Sequence, residues 1–528
     1  MEHTTHVIVI PYPAQGHVIP LMELAQQLVQ NGVKVTFINT EVNHKLVTAT
    51  WSEKGLMQMV SIPDGLEPWE DRSDLAKLAE SIVQIMPGKL EELINKINKD
   101  DDNKATCVLA DNCMGWSMHV AEKMGIRRAT FWPASAATLA SFLSFQKLID
   151  DGVIDDCGVP LNDKMIHLSP SMPPIKPSNL TWACIGDLAT TKIIFEVSTE
   201  AVKAATMAEW ILCNSSDHLE PAAFTLFPQL SPIGPLLASN RLAEQAGHFW
   251  QEDSTCLTWL DTQAPGSVIY IAFGSFTIFD QTQFEELAIG LELTNRPFLW
   301  GWSGQVLAHP SVACFLSHCG WNSTLEGVNN GVPFVCWPYF ADQFHNESYI
   351  CDIWKNGLAF NKNKEGIITQ GEIENKVNML LSDGTFKEKA QTLKETVTSS
   401  IRKGGSSKEN LTAFIEWIYE KEKVFSFVGL WGKSFGFYMN MATWEERFAD
   451  IGLEKQTLSS LCHVSWKWFI WGPPFYICGP RNPLVYAHLA RSIAGLYCSG
   501  FWKATKPDFF HYAANSMVNN TREATKSL

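Results

Sequence analysis

Residues 300–343 read WGWSGQVLAHPSVACFLSHCGWNSTLEGVNNGVPFVCWPYFADQ. The run VACFLS is uniformly apolar, as a strand covered on both faces is. A polar turn, HCGWNS, follows at once, and STLEGVNNG then starts a helix. A second apolar strand, VPFVCW, comes next, with the polar pair Asp342 and Gln343 just beyond it. A strand that feeds directly into a helix aims unpaired N–H groups and the positive end of the helix dipole at whatever lies in the turn. That arrangement favours an anion such as phosphate. The turn adds a cation or donor (His318), an indole (Trp321), an amide (Asn322) and a hydroxyl (Ser323).

The rest of the chain repeats this strand–helix alternation. HVIVI at 6–10 is a continuous apolar run. Leu21, Leu24, Ala25, Leu28 and Val29 then recur at helical spacing, Gly32 supplies a stop, and VKVTFI is a further strand. Such a βαβ unit opens a doubly wound sheet. ATCVLAD (105–111) is predicted as a buried strand ending on Asp111, SMHVAEKMG as a helix, and RRATFW as a strand. The Pro- and Asp-rich stretch 150–200 is predicted as loops lining an opening. Residues 232–266 make an inter-domain connection. After it the alternation starts again, with a strand at 267–273, a helix over QTQFEELAIGLEL and a strand RPFLW ending at Trp300.

Composition narrows the partners. The net charge of −15 disfavours nucleic acid and anionic membrane surfaces. Thirteen cysteines, an odd number with no C-x-x-C pair, fit a reducing compartment better than a disulfide framework or a zinc site. HVIVIPYPA lacks a basic flank and so is a first strand, not a signal peptide. No uncharged apolar run reaches the roughly 18 residues a membrane span needs. No G-x-G-x-x-G follows either first strand, so a dinucleotide site has little support. His318-Cys319 has no further ligands at metal spacing, and no metal is expected.

The run HCGWNS…E…GVP…WP…DQ resembles, residue for residue, the signature box of plant UDP-glycosyltransferases, the family 1 enzymes that move a sugar from a UDP-sugar to a small acceptor. The resemblance covers roughly residues 5–420. It implies the α/β architecture called GT-B, two Rossmann-like doubly wound domains facing across a cleft. On that basis residues 1–240 are expected to bind the acceptor and 250–423 the UDP-sugar. Residues 424–528 hold 10 Lys and Arg against 6 Asp and Glu, with 21 of the chain's 60 aromatic residues. They resemble no part of the family and stand as an unassigned extension.

By resemblance, His17 in QGHVIP is the general base and Asp111 in LADNCMGW its partner. Both follow strands whose carboxyl ends should share one edge, where ligands of such sheets sit. A carboxylate on one imidazole nitrogen fixes the tautomer and stabilises the imidazolium. Ser275, His318, Asn322 and Ser323 would hold the diphosphate, and Glu326 the ribose. Ser323-Thr-Leu-Glu326 is also a capping box, which needs a Glu there for structural reasons alone. Asp342 and Gln343, with Trp321 nearby, would take the sugar hydroxyls.

The front of the box departs from the pattern. Where the family has Trp-Ala-Pro-Gln, this chain has Trp300-Gly301-Trp302-Ser303, and a loop and strand usual before it are missing. Trp300 and Trp302 match the uracil-stacking indole equally well. Eleven residues remain before Val312, fewer than the dozen or more a parallel crossover usually takes. Two readings follow. One is an active monomeric, cytoplasmic glucosyltransferase that needs no cofactor and acts on a flavonoid or other phenol. The other is a catalytically impaired or non-catalytic family member, or a wrongly assembled coding sequence, that binds ligands weakly if at all.

Overall fold

The computed structural model describes residues 5–48, 55–236, 255–274, 277–301 and 305–434, with backbone alone for 421–434. Ser275, Trp302 and most of the 424–528 extension therefore lie outside the described residues. Chain packing groups residues 1–431 into one unit and 432–528 into another.

Seven parallel strands make the first sheet: β1 (His6–Ile10), β2 (Lys34–Thr40), β3 (Met57–Ile62), β4 (Cys107–Asp111), β5 (Arg127–Trp132), β6 (Trp210–Cys213) and β7 (Leu230–Pro232). Their order is β3-β2-β1-β4-β5-β6-β7. The second sheet holds β8 (Val268–Ala272), β9 (Phe298–Trp300), β10 (Val312–Ser317), β11 (Phe334–Cys336) and β12 (Gly357–Ala359), ordered β12-β11-β10-β8-β9 and again parallel. Counted within its own sheet, that is 2-1-3-4-5. Each sheet thus reverses direction at one place, between β1 and β4 in the first and between β8 and β10 in the second. In open parallel sheets the crevice at that reversal is where ligands bind.

The middle strands are buried because helices cover both faces: every residue of β1, β4, β8 and β10 is buried. The two α/β units are those the apolar runs predict. In the stretch 150–200 the chain is irregular up to Asp187 apart from two 3-10 turns, and Thr181 and Ile185 line the cavity; the correction is the helix that follows. Residues Leu188–Ala205 form an 18-residue helix, with Thr191, Phe195, Thr199 and Val202 among its buried positions. Two threonines on that stripe mask the apolar period.

The crossover from β9 to β10 is also shorter than expected. It passes over the single strand β8, and one 3-10 turn, Val306–Ala308, serves where a helix is usual. Crossing one strand moves the chain only about 10 Å sideways, so eleven residues suffice. Val306 and Leu307 from that turn are buried against β8 and β10.

The final helix, Ser406–Ser434, returns to the first sheet. Leu411, Phe414, Ile415 and Ile418 enter the core formed around β1 and β2. The Arg127 guanidinium lies 3.5 Å over the Trp417 ring, and Tyr419 donates to the carbonyl of Asn31 at 2.7 Å. This return ties the two sheets together and so fixes the cleft between them.

Candidate active site

β1 runs out at Ile10, and after four residues the helix Gln15–Gln30 begins, so His17 sits in its first turn at the sheet's reversal point. Asp111 is the last residue of the neighbouring strand β4, and its side chain is fully buried. The two meet: His17 Nδ1 lies 2.8 Å from Asp111 Oδ2. The other carboxylate oxygen accepts the Cys113 N–H at 2.9 Å, capping the short turn Asn112–Met114. Asp111 therefore serves as cap and as imidazole partner at once. With Nδ1–H donated to a carboxylate, Nε2 is left as the basic nitrogen. Burial works against a charged His17 ring. The charge and hydrogen bond of Asp111 outweigh it, Asp342 adds to them, and the His17 pKa ends above its ordinary value.

The second half of the site is built on β8 and β10. The signature helix is Trp321–Asn330, with Gly320 at its cap position offering no side-chain cap. The Asp342 carboxylate takes the Trp321 N–H from beyond β11, and the positive end of the helix still favours an anion in the turn. This start, two residues before Ser323, rules out the capping box expected of Ser323 and Glu326. Cys319 takes the left-handed conformation at φ 66° to make the turn. His318 Nδ1 faces the carbonyl of Ala272 at 3.3 Å. A Cβ on Gly274 would come within 2.7 Å of His318 Nε2, and one on Gly320 within 2.6 Å. The two glycines thus make room for that ring. Burial pushes the His318 pKa down to about 4, with the Ala272 carbonyl pulling the other way. Of the two roles the sequence offered for His318, cation or donor, burial in the free protein favours the uncharged ring.

Two residues of the signature helix reach across to the first sheet. Trp321 donates its indole N–H to the Asn214 carbonyl at 2.8 Å, and Asn322 donates its amide to the Gly16 carbonyl at 2.9 Å, next to His17. Trp321 is nearly buried, with 3% of its surface exposed. Its N–H is therefore engaged in joining the two halves. Beyond β11, Gln343 Oε1 accepts the N–H groups of Tyr339 and Phe340 at 2.8 and 3.1 Å, which folds the turn and leaves the Gln343 amide as a donor. Ala341 within that turn is held at φ 56°. Asp342 accepts from Asn346 Nδ2 at 2.8 Å, and burial lifts its pKa above the usual carboxylate range.

All of this opens on one cavity of about 460 Å³, within the range of small-ligand sites. His17, His318, Trp321, Asn322, Ser323, Glu326, Asp342 and Gln343 line it, and Asp111 stands behind His17. Trp300 does not line it. Its ring packs against Phe273 and Phe284 at 5.4 and 5.7 Å between centroids. The sequence reading missed the apolar wall made by Trp132, Phe142, Ile194 and Val197. No motif marks those positions, and two of them lie on the unexpected helix. The ligand atoms of His17, Asp111 and Cys113 lie within 4.8 Å of one another. A metal would need the thiolate, and burial beside Asp111 pushes the Cys113 thiol well up.

Comparison with known proteins agrees with this geometry. A family model described as "UDP-glucoronosyl and UDP-glucosyl transferase" matches residues 290–400. UDP-glycosyltransferase 83A1 of Arabidopsis thaliana is 44% identical over 447 residues, covering 78% of this chain and 96% of the relative. That aligned length exceeds 78% of 528 residues, so the relative carries internal residues that this chain lacks. A 7-deoxyloganetin glucosyltransferase of Catharanthus roseus is 31% identical, covering 79% and 97%. The crystal structure of Os79 from O. sativa in complex with UDP is 25% identical and superposes with a TM-score of 0.66, over 78% of this chain and all of that one.

Proposed function

Because the chain belongs to the UDP-glycosyltransferase family and is a glycosyltransferase drawing on a UDP-sugar, we propose that it moves glucose from UDP-glucose to a hydroxyl of a small phenol, such as a flavonoid, with inversion. One observation carries this reading: His17, held by Asp111 at 2.8 Å, and the signature turn line the same cavity. His17 Nε2 takes the acceptor proton, the freed oxygen attacks the anomeric carbon, and UDP leaves from the opposite face. The imidazolium that forms lies beside Asp111 and within the field of Asp342. The positive end of the signature helix meets the charge growing on the leaving diphosphate, with Ser323 and Asn322 beside it. Glu326 takes the ribose, and Asp342 and the Gln343 amide take the sugar hydroxyls.

The aromatic and aliphatic wall of Trp132, Phe142, Ile194 and Val197 suits a flat, mostly apolar acceptor. Glucose is favoured because a relative covering most of the chain is named a glucosyltransferase. The same reading has no metal or other cofactor, and the enzyme working as a cytoplasmic monomer. No helix among the described residues is long and apolar enough to cross a membrane.

The test is His17→Ala. Glucose transfer to a phenolic panel is expected to fall by about 10²–10⁴-fold, the range for losing a general base. UDP affinity, measured by calorimetry, is expected to stay within about twofold, since Nε2 faces the acceptor. Turnover at the wild-type rate in this variant would remove His17 from the mechanism.

A further inference from the structure

Beneath the signature turn lies a thiol cluster that the transfer chemistry does not use. Cys336 is the last residue of β11 and is buried, while Cys351 sits in the π-helical turn Tyr349–Ile353 and is partly open to solvent. Their sulfur atoms are 3.9 Å apart. Cys319, buried in the signature turn, also hydrogen-bonds Cys336. The chain between Cys336 and Cys351 carries Asp342 and Gln343, the residues assigned to the sugar. We propose that Cys351 and Cys336 form a peroxide-responsive modification site, closing to a disulfide that locks the loop holding Asp342 and Gln343.

The two thiols have different parts because their surroundings differ. Cys351 is the accessible one and reacts first. Its sulfur attacks hydrogen peroxide, the S–O bond forms, the O–O bond breaks, and the departing hydroxide takes the thiol proton as water. Cys336 then attacks the Cys351 sulfur of the sulfenic acid. The S–S bond forms, the S–O bond breaks, and a second water leaves with the Cys336 proton. Two thiols lose two electrons and one peroxide becomes two waters. Burial and the neighbouring thiols push the Cys336 thiol well up, so it stays protonated and does not react with peroxide on its own. Contact with Cys351 compensates, since a held partner acts at a high effective concentration. The sulfurs are already in contact and close from 3.9 Å to about 2.05 Å in the disulfide.

The experiment treats the full chain with hydrogen peroxide, alkylates free thiols and maps peptides without reduction. A linked peptide joining Cys336 to Cys351 is expected, two hydrogens lighter than the pair of thiols. It should disappear on dithiothreitol treatment and be absent in Cys351→Ser. In Cys336→Ala, Cys351 should stop at the sulfenic acid and be trapped by dimedone. A bridge between Cys319 and Cys336, or sulfinic acid accumulating at Cys351 in the wild type without a bridge, overturns the proposal. So does the absence of any bridge at doses that oxidise other thiols. The activity arm rests on the proposed function: oxidised wild type should show a severalfold higher KM for UDP-glucose, restored by dithiothreitol, and Cys351→Ser should not respond. Equal inhibition of Cys351→Ser overturns the coupling to the loop. Because the peptide map needs no turnover, failure of the transfer assignment is seen separately.

Discussion

The two sheets carry the same site function on unequal frames. In the first, seven strands flank the reversal point between β1 and β4, and three strands lie beyond β4. In the second, β8 has a single neighbour, β9, on one side. That strand is poorly covered: Phe298 is 42% exposed and Trp300 40%, whereas β8 and β10 are buried throughout. β9 is therefore the exposed rim of that sheet. Gly274, His318 and the signature helix all hang on the two central strands, whose register spans Val268 to Ala272 against Val312 to Ser317. A parallel sheet presents its ligands at the reversal point, so a thinly covered edge strand bears on stability before it bears on chemistry.

The comparison is tested hardest on the complete side. Asp111→Asn keeps the shape of the His17 contact but removes the charge and can leave the wrong tautomer. Transfer is expected to fall by about 10³–10⁴-fold, as when the carboxylate of a catalytic triad is lost. The pH profile gives the sign. The wild-type His17 pKa is raised by Asp111, so kcat/KM should climb with pH as the base form appears above the ordinary histidine range. In Asp111→Asn that limb should move to lower pH while its plateau drops. A limb that stays in place would show that another group is titrating.

Next comes the central part of the shortened sheet. Gly320→Ala puts a methyl group within 2.6 Å of His318 Nε2, closer than real contacts allow. The ring or the turn must move, and a displacement near 1 Å in a reacting site costs on the order of 10²-fold in kcat/KM. If the variant keeps wild-type kinetics with UDP-glucose, the signature turn is not the part that places the diphosphate.

How far the sequence showed these features follows from which forces write patterns into it. Middle strands buried on both faces, such as HVIVI and VACFLS, declare themselves as unbroken apolar runs. His17, Asp111 and the run from His318 to Gln343 were named through their resemblance to the family's motifs, and the fold brings them to one cavity, with Asp111 behind His17. The protonation state of His318 could not be named beforehand, because it depends on burial by residues distant in sequence. Nor could the contacts of Trp321 with Asn214 and of Asn322 with Gly16, which join positions some hundreds of residues or a hundred apart. The acceptor wall was hidden for another reason. On the helix Leu188–Ala205 its buried stripe mixes threonine with Phe195 and Val202, so the period is chemically diluted.

A smaller effect follows from His318. With a pKa near 4 in the free protein, it carries no charge at neutral pH, and its Nε2 is a lone pair when Nδ1–H points at Ala272. A diphosphate beside it favours the protonated ring. UDP binding should therefore take up protons, and UDP affinity should weaken as pH rises through the His318 pKa of the complex. Calorimetry at pH 6 in buffers of different ionisation enthalpy reads the uptake directly. The expected change across that limb is about tenfold for each pKa unit gained. His318→Gln should show no uptake, and an unchanged uptake in that variant would place the titrating group elsewhere.

The smallest expected effect is at the rim. Trp300 packs against Phe273, Phe279 and Phe284, with centroids 5.4, 6.5 and 5.7 Å away. That cluster is what covers the outer strand β9. If Trp300 only covers the edge, Trp300→Ala removes these ring contacts and part of a buried surface, about 1–2 kcal/mol of stability. Its KM for UDP-glucose should then stay within about twofold, because the ring does not line the cavity. If Trp300 were instead the platform for the uracil, the same variant would keep its melting temperature and lose donor affinity by about tenfold or more, the value of one aromatic stack on a base. Thermal melts and donor KM measured on one preparation separate the two outcomes. The cavity lining favours the first: the rim of the second sheet bears on stability, and its central strands on the donor.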